Sequence, residues 1–218
     1  MKTCAIIPAY NEEGQIADVV RRTKEHVDST IVVDDGSEDL TAEKAAGADF
    51  VLKHIINMGK GFALRTGIEK AIRDGSDVLV TIDADNQHDP ADIPRLVNTL
   101  VSEDADIVFG SRSFDGDMPI ILRAGNWWLC KSAGILFGAD VSDSQSGFKV
   151  FKKEAYEKLK WKSSHYSVDS EIISKVGRNG LKHKQVPIKT IYHSKYKGTT
   201  VIDGVRIFLN MLSWRLGG

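Results

Sequence analysis

Asp83 and Asp85 stand one residue apart, at the end of the apolar run Val78-Leu79-Val80-Thr81-Ile82 and just before Asn86-Gln87. The run has the length and β-branched content of a buried strand. Open α/β sheets bind ligands in the crevice outside the carboxyl ends of their strands, so both carboxylates are expected to face a ligand. Hard cations such as Mg²⁺ or Mn²⁺ take oxygen ligands of this kind and share them with substrate phosphates. The chemistry implied is a metal-dependent site for a nucleotide diphosphate. The plainer alternative is a solvated acidic turn, because a D-x-D spacing alone is common.

Two further clusters close strands of the same kind. Pro8-Ala9-Tyr10-Asn11-Glu12 follows a strand over 4–7, and Asp34-Asp35-Gly36-Ser37 follows one over 30–33. In a parallel sheet all three strand ends lie on one edge. There Tyr10 can flank a base, and a carboxylate can accept from base N–H or ribose hydroxyl groups. Taken singly, 34–37 also reads as a turn followed by a helix cap. Asn57-Met58-Gly59-Lys60-Gly61 resembles a glycine loop before a helix, a place where Lys60 can meet a phosphate. The Walker spacing is missing, so it is not a P-loop, and a loop that simply needs small residues fits equally well.

The elements that must position these clusters alternate. Strands are expected at 4–7, 30–33, 50–53, 78–82 and 107–110, and helices at 13–27, 41–46 (with Gly47 as a stop), 62–73 and from Pro90 to Val101. Pro90 suits a first helical turn. Such alternation argues for an α/β fold with a Rossmann-like, mostly parallel sheet and helices on both faces. After Ser111 the pattern changes. A helix is expected over 119–137, a strand over 147–151, helices over 154–159 and 168–176, and a late strand over 184–191. A polar loop follows at 193–200, then a final helix over 202–216. In that helix Val205, Phe208, Leu209, Leu212 and Leu216 recur at helical spacing.

A length of 218 residues suits one α/β domain, and 42% hydrophobic with 27% charged residues is ordinary for a soluble globular chain. A net charge of −1 provides no basic field for nucleic acid. Two cysteines, Cys4 and Cys130, make no disulfide framework, and a reducing cytoplasm is expected. The chain enters a strand within three residues, which argues against a signal peptide. The apolar stretch 119–139 is broken by Arg123, Asn126, Lys131 and Ser132, too often for a spanning helix.

The motifs 8–12, 33–37, 57–61 and 83–87, with Gly110-Ser111-Arg112 and Asp143-Ser144-Gln145-Ser146-Gly147-Phe148-Lys149, resemble family 2 glycosyltransferases. Within that family their order and spacing are most similar to dolichol-phosphate mannose synthase and related polyprenyl-phosphate glycosyltransferases, over roughly residues 3–200. The resemblance implies a GT-A fold in a single domain over 1–218. Residues 1–110 would form the nucleotide-sugar half, 111–200 the acceptor half and 201–218 a C-terminal amphipathic helix. It also implies an inverting transfer from a nucleotide-diphosphate sugar (GDP-mannose or a UDP-sugar) to dolichyl or polyprenyl phosphate at the cytosolic membrane face.

Carried over by position, Pro8, Tyr10, Asn11, Glu12, Asp35, Gly36, Lys60, Ala84, Gln87 and Lys195 would bind the nucleotide sugar. Asp83, Asp85 and Gln87 would hold the metal, Mg²⁺ or Mn²⁺. Arg112 would contact a phosphate, and Arg123 the acceptor phosphate, unless Arg123 snorkels at a helix edge. A bound cation stabilises the charge that grows on the leaving nucleoside diphosphate, with fixed positive charge from Arg112 and Lys195. A lipid phosphate is already anionic and needs no strong base. A hydroxyl acceptor would need one; Asp143 and Glu171 are the candidates, with capping and loop hydrogen bonding as their alternative roles. Trp127, Trp128, Leu129 and Ile135 either line a lipid groove or belong to the core.

One stretch departs from the family pattern. Where relatives carry Arg-x-x-Gly-x-Ser-Lys, this chain has Lys195-Tyr196-Lys197-Gly198-Thr199-Thr200-Val201. A bidentate clamp becomes a point charge, which weighs against GDP-mannose as donor. The final helix, with Phe208, Met211, Leu212, Trp214 and Leu216 beside Arg206 and Arg215, suits peripheral contact with a membrane surface or packing on the domain's own core. A processive polysaccharide synthase lacks support, since the Gln-x-x-Arg-Trp element is missing. A sugar-nucleotide pyrophosphorylase lacks it too, since the N-terminal glycine-rich arginine signature is missing. Transfer to a polysaccharide or protein-linked glycan remains an alternative, as does a non-catalytic nucleotide-binding accessory protein, against which intact Asp83 and Asp85 argue.

Overall fold

The computed structural model describes residues 1–112, 120–165, 167–190 and 201–217, without the side chains of 120–123 and 201–202. The first half alternates as expected: β1 (Thr3–Ala9), α1 (Ile16–Lys24), β2 (Ser29–Asp34), α2 (Thr41–Lys44), β3 (Phe50–Lys53), α3 (Lys60–Arg73), β4 (Val78–Thr81), a 3-10 turn at Pro90–Asp92 leading into α4 (Ile93–Ser102), and β5 (Ile107–Arg112). The second half contains α5 (Ile120–Phe137), β6 (Lys149–Lys152), α6 (Lys153–Leu159), α7 (Ser167–Arg178), β7 (His183–Ile188) and α8 (Val201–Leu216). Helix α1 starts three residues later and ends three earlier than the sequence suggests. Strand β5 runs two residues further, so Ser111 and Arg112 belong to it.

The seven strands form one sheet in the order β3-β2-β1-β4-β6-β5-β7. Strands β3, β2, β1 and β4 are mutually parallel, and so are β5 and β7. The exception is β6, which runs antiparallel between β4 and β5, with Phe151 opposite both Leu79 and Ile107. The sheet is thus mostly parallel, but the fourth and fifth strands are not neighbours. An inserted antiparallel strand has a consequence for the site: its beginning lies at the edge where its parallel neighbours end. Gly147 and Lys149 therefore arrive beside the residues that follow β4.

Period-two alternation splits the interior into two cores. Along β1, Cys4 and Ile6 face one side, where Leu64, Phe109, Phe151, Trp161 and Ile173 gather beneath α3, α5, α6, α7 and α8. Ala5, Ile7 and Ala9 face the other, against Ile16, Val20, Leu96, Leu100 and Phe148 under α1 and α4. Each fully buried aliphatic or aromatic side chain contributes about 1.5–3 kcal/mol. Both cysteines are free and buried, and burial pushes the Cys130 thiol up to about 11. β7 closes one side of the sheet and carries Pro187, whose outward carbonyl is capped by the Arg95 guanidinium of α4. Among the described residues no helix is long and apolar enough to cross a membrane.

Candidate active site

Strand β4 delivers Asp83 to the carboxyl edge. Thr81 Oγ1 donates to the Gly147 carbonyl at 2.8 Å and clamps the end of β4 to the start of β6. The Asp83 carboxylate then lies against the Gly147 backbone. A Cβ at 147 would stand 2.2 and 2.4 Å from the two carboxylate oxygens, a space that only glycine leaves open.

Asp83 Oδ1 meets Lys60 Nζ at 2.7 Å, and its Oδ2 faces His88 Nε2 at 3.6 Å. Lys60 also reaches Asp169 Oδ2 at 3.3 Å, and the other oxygen of Asp169 accepts from the buried Lys149 Nζ at 2.5 Å. Charges of alternating sign thus run Asp83, Lys60, Asp169, Lys149 from the cleft into the core.

The two aspartates are electrostatically unequal. Burial alone would raise the Asp83 carboxyl, but Lys60 and His88 hold it far below the usual carboxylate range. Asp85 is pushed up, first by burial and then by the charge on Asp83. Its Oδ1 accepts from the Gln87 N–H at 3.1 Å, across an Asn86 held at φ +60°. Two neighbouring carboxylates that resist simultaneous charge are a donor set that a hard divalent cation suits. Among the described residues no three or more His, Cys, Asp or Glu side chains converge. The protein therefore offers a partial set, the usual arrangement for Mg²⁺, which keeps waters and substrate phosphates as its remaining ligands.

The end expected to take the nucleoside is built from loops. Tyr10 is 44% exposed at the end of β1, whereas Asp35 is buried. Asp35 accepts from the Met58 N–H at 3.0 Å, the Gly59 N–H at 2.6 Å and His54 Nδ1 at 2.6 Å. It therefore holds the 57–61 loop in place. That loop packs against residues 163–165, and a Cβ on Gly59, at φ +92°, would come within 2.4 Å of the Ser164 carbonyl oxygen. Its glycines serve close backbone packing, while Lys60 faces carboxylates. Asn11, at φ +54°, receives the Glu38 N–H on its side chain and donates its own N–H to Ser37. Glu12 donates its N–H to Thr41 Oγ1 at 2.8 Å. Gly36 lies within reach of the Ile56 backbone, Ala84 is buried, and Pro8 is half-buried.

At the end of β5, Arg112 Nε and Nη2 donate to Asp143 at 2.6 and 2.9 Å. Asp143 also accepts the Arg112 and Gln145 N–H groups. Burial would raise its carboxyl, but the Arg112 charge holds it below the ordinary range. Glu171 is engaged too, by the Lys162 and Ser163 N–H groups. Gln145 donates to Ser170 at 3.1 Å, next to Asp169, and so links the Arg112 cluster to the Lys60 cluster.

Lys195 and the 191–200 stretch that departs from the family pattern lie outside the described residues, as does the Arg123 side chain. The apolar side chains of α5 divide. Leu129 is buried, Trp128 stacks on Phe208 with ring centroids 4.2 Å apart, and Trp127 and Ile135 are 62% and 85% exposed. Beside them a groove of about 940 Å³ opens between α5 and residues 138–142, with Asn126, Gly134, Val141 and Gln185 in its walls. His54, His88, Lys149 and Asp169 were not among the residues expected from the sequence. His88 sits within reach of the D-x-D motif and Lys149 ends the 143–149 motif, but Asp169 has no local sequence signal.

A sequence model described as Glycosyl transferase family 2 matches residues 4–160. The chain is 36% identical to the UDP-N-acetylglucosamine--dolichyl-phosphate N-acetylglucosaminyltransferase of Methanococcus voltae, over 97% of this chain and 95% of that protein. It is 30% identical to the dolichol-phosphate mannosyltransferase of Pyrococcus furiosus, over 98% of this chain and 64% of that one. The fold is that of glucosyl-3-phosphoglycerate synthase from Mycobacterium tuberculosis, crystallised with Mn²⁺, uridine diphosphate and phosphoglyceric acid. The TM-score is 0.74 at 21% identity, over 99% of this chain and 78% of that one. The architecture is GT-A, and with a family match over most of its length this chain belongs to glycosyl transferase family 2.

Proposed function

We propose that this chain is an inverting glycosyltransferase that moves a sugar from a nucleotide-diphosphate sugar to dolichyl or polyprenyl phosphate. Asp83, Asp85 and the Gln87 side chain would hold Mg²⁺ or Mn²⁺. When bound, the cation acts as a Lewis acid on the departing diphosphate. Tyr10 would flank the base, and Lys60 would add positive charge beside the diphosphate. The acceptor oxygen bonds to the anomeric carbon as the bond to the diphosphate breaks, and the electron pair leaves with the nucleotide.

The engagement of Asp143 and Glu171 carries the choice of acceptor. A hydroxyl acceptor needs a base with an available oxygen. Here one candidate is locked on Arg112 and the other on two backbone N–H groups. An anionic phosphate needs no base, only a fixed cation, and Asp143 holds the Arg112 guanidinium in one orientation. The M. voltae relative's name supports a UDP-sugar as donor, as does lysine at 195 in place of arginine.

The acceptor is a lipid, and α8 has the surface to meet it. Val205, Leu209, Leu212 and Leu216 fall on one helical stripe, with Arg206 and Arg215 on its two flanks. Val205, Leu209 and Leu216 are more than half exposed, while Ile207 and Met211 are buried on other faces. Such a helix lies in a membrane interface. The neighbouring groove beside Trp127 and Ile135 would take the first units of the prenyl chain.

The test is nucleotide release from a panel of sugar nucleotides with Mn²⁺, with and without a short polyprenyl phosphate. Release that depends on the lipid is expected. Release indifferent to lipid, or specific to a glycan acceptor, overturns the acceptor assignment.

A further inference from the structure

Lys60 occupies an unusual position, because one oxygen of Asp83 is at once its partner and an expected ligand of a divalent cation. Lys60 Nζ is 2.7 Å from Asp83 Oδ1. A divalent cation held by that carboxylate would bring a second positive charge to the same anion. The ammonium and the ion would then stand close together and share the single charge of one carboxylate. Two cations on one carboxylate repel each other inside a cleft, which favours the departure of one or the arrival of a further anion.

The surroundings decide which happens. The Lys60 backbone cannot retreat. Gly59 donates its N–H to Asp35 at 2.6 Å, Gly61 donates to the Ser164 carbonyl at 2.7 Å, and Trp161 Nε1 donates to the Gly61 carbonyl at 2.9 Å. The side chain is a flexible four-carbon stem whose head can change partners, and it is 19% exposed. Asp169 keeps the head nearby at 3.3 Å but already carries Lys149 on its other oxygen at 2.5 Å. It therefore offers little charge to compensate for the loss of Asp83. A diphosphate offers that charge.

We propose that Lys60 is a shared counter-ion which Asp83 gives up to the donor's diphosphate, so that cation and nucleotide each strengthen the other's binding. This rests on the donor-site assignment above. With a cation held by Asp83, Lys60 would turn from that carboxylate to the donor phosphate, and the phosphate would shield ammonium from cation. Linkage makes the effect reciprocal.

The experiment measures Mn²⁺ binding by electron paramagnetic resonance and UDP binding by calorimetry, each with and without the other ligand. It compares wild type with Lys60→Gln and Lys60→Met, after circular dichroism has confirmed that the variants fold. In the wild type, UDP should tighten Mn²⁺ about tenfold or more, within the usual range of site coupling. Both variants should bind Mn²⁺ alone more tightly than wild type, about tenfold, and their coupling should fall by a similar factor, leaving the part that comes from direct contact between cation and phosphate. The donor-site assignment survives and the Lys60 inference falls if wild type binds both ligands but the variants bind Mn²⁺ alone no more tightly. Both fall if the folded wild type binds neither Mn²⁺ nor UDP nor GDP.

Discussion

Arg112 and Asp143 form a two-pronged pair, Nε to Oδ2 at 2.6 Å and Nη2 to Oδ1 at 2.9 Å, with the Asp143 side chain fully buried. The carboxylate is spent on orienting the guanidinium. Asp143→Asn keeps the shape and loses the charge. It is expected to lower kcat/KM for the lipid acceptor by about 10–100-fold, the usual cost of losing an orienting partner, and to leave nucleotide binding unchanged. Asp143→Ala strands a buried charge and should cost about 3–5 kcal/mol in a denaturant titration.

Gly147→Ala separates packing from chemistry. The added methyl would lie 2.2 and 2.4 Å from the Asp83 oxygens, and the carboxylate must turn away. Turnover should fall about 100-fold, as a misplacement of about 1 Å can cause. The stability loss should stay within the ~1–3 kcal/mol of an overpacked core site. Steady-state kinetics beside thermal unfolding will read the two effects separately.

The two aspartates of the motif should respond to pH in opposite directions. Asp83 is depressed in the folded protein, so its contribution to stability is present above the unfolded carboxylate value of about 3.9 and is lost as pH falls through its folded value. Asp85 is raised, so its folded form favours the proton, and stability on its account is lost as pH rises from about 3.9 through its elevated value. Asp85→Asn should therefore raise Tm at pH 7 in the presence of a chelator, and should abolish any rise in Tm on adding Mn²⁺. A lowered Tm in chelator would contradict the electrostatic assignment.

Leu209 is 58% exposed on the apolar stripe of α8. Leu209→Glu should change unfolding free energy by no more than about 0.5 kcal/mol, as is usual at a surface position. It should weaken sedimentation with anionic vesicles, and lipid-dependent turnover should fall with it. Unaltered vesicle binding would remove α8 from the membrane surface.

Local pattern made the Rossmann-like half legible. The strand-end clusters at 8–12, 34–37 and 83–87 lie on one edge, because β1, β2 and β4 are parallel and adjacent. The neighbours of β6 were not legible. Periodicity reports which faces of a strand are buried, and Val150 and Phe151 are buried on both, but it does not say between which strands they sit. The ionic chain was hidden for a similar reason. Asp169 lies 109 residues from Lys60 and meets it only because α7 packs behind the edge. The roles of Asp35 and Asn11 depended on loop geometry: one organises the 57–61 loop and the other the 37–38 turn.

Pro187, on the outer strand, bears on crowding. A strand at the border of a sheet is a template on which another chain can add. At Pro187 that template has no N–H to give, its carbonyl is taken by Arg95, and the next outward N–H, at Lys189, is taken by Asp92 at 3.1 Å. An enzyme gathered on a lipid surface meets its own copies far more often than one in bulk solution. On the lipid surface proposed above, this stretch of β7 would therefore offer a second copy neither a free carbonyl at 187 nor a free N–H at 187 or 189 on which to add a strand.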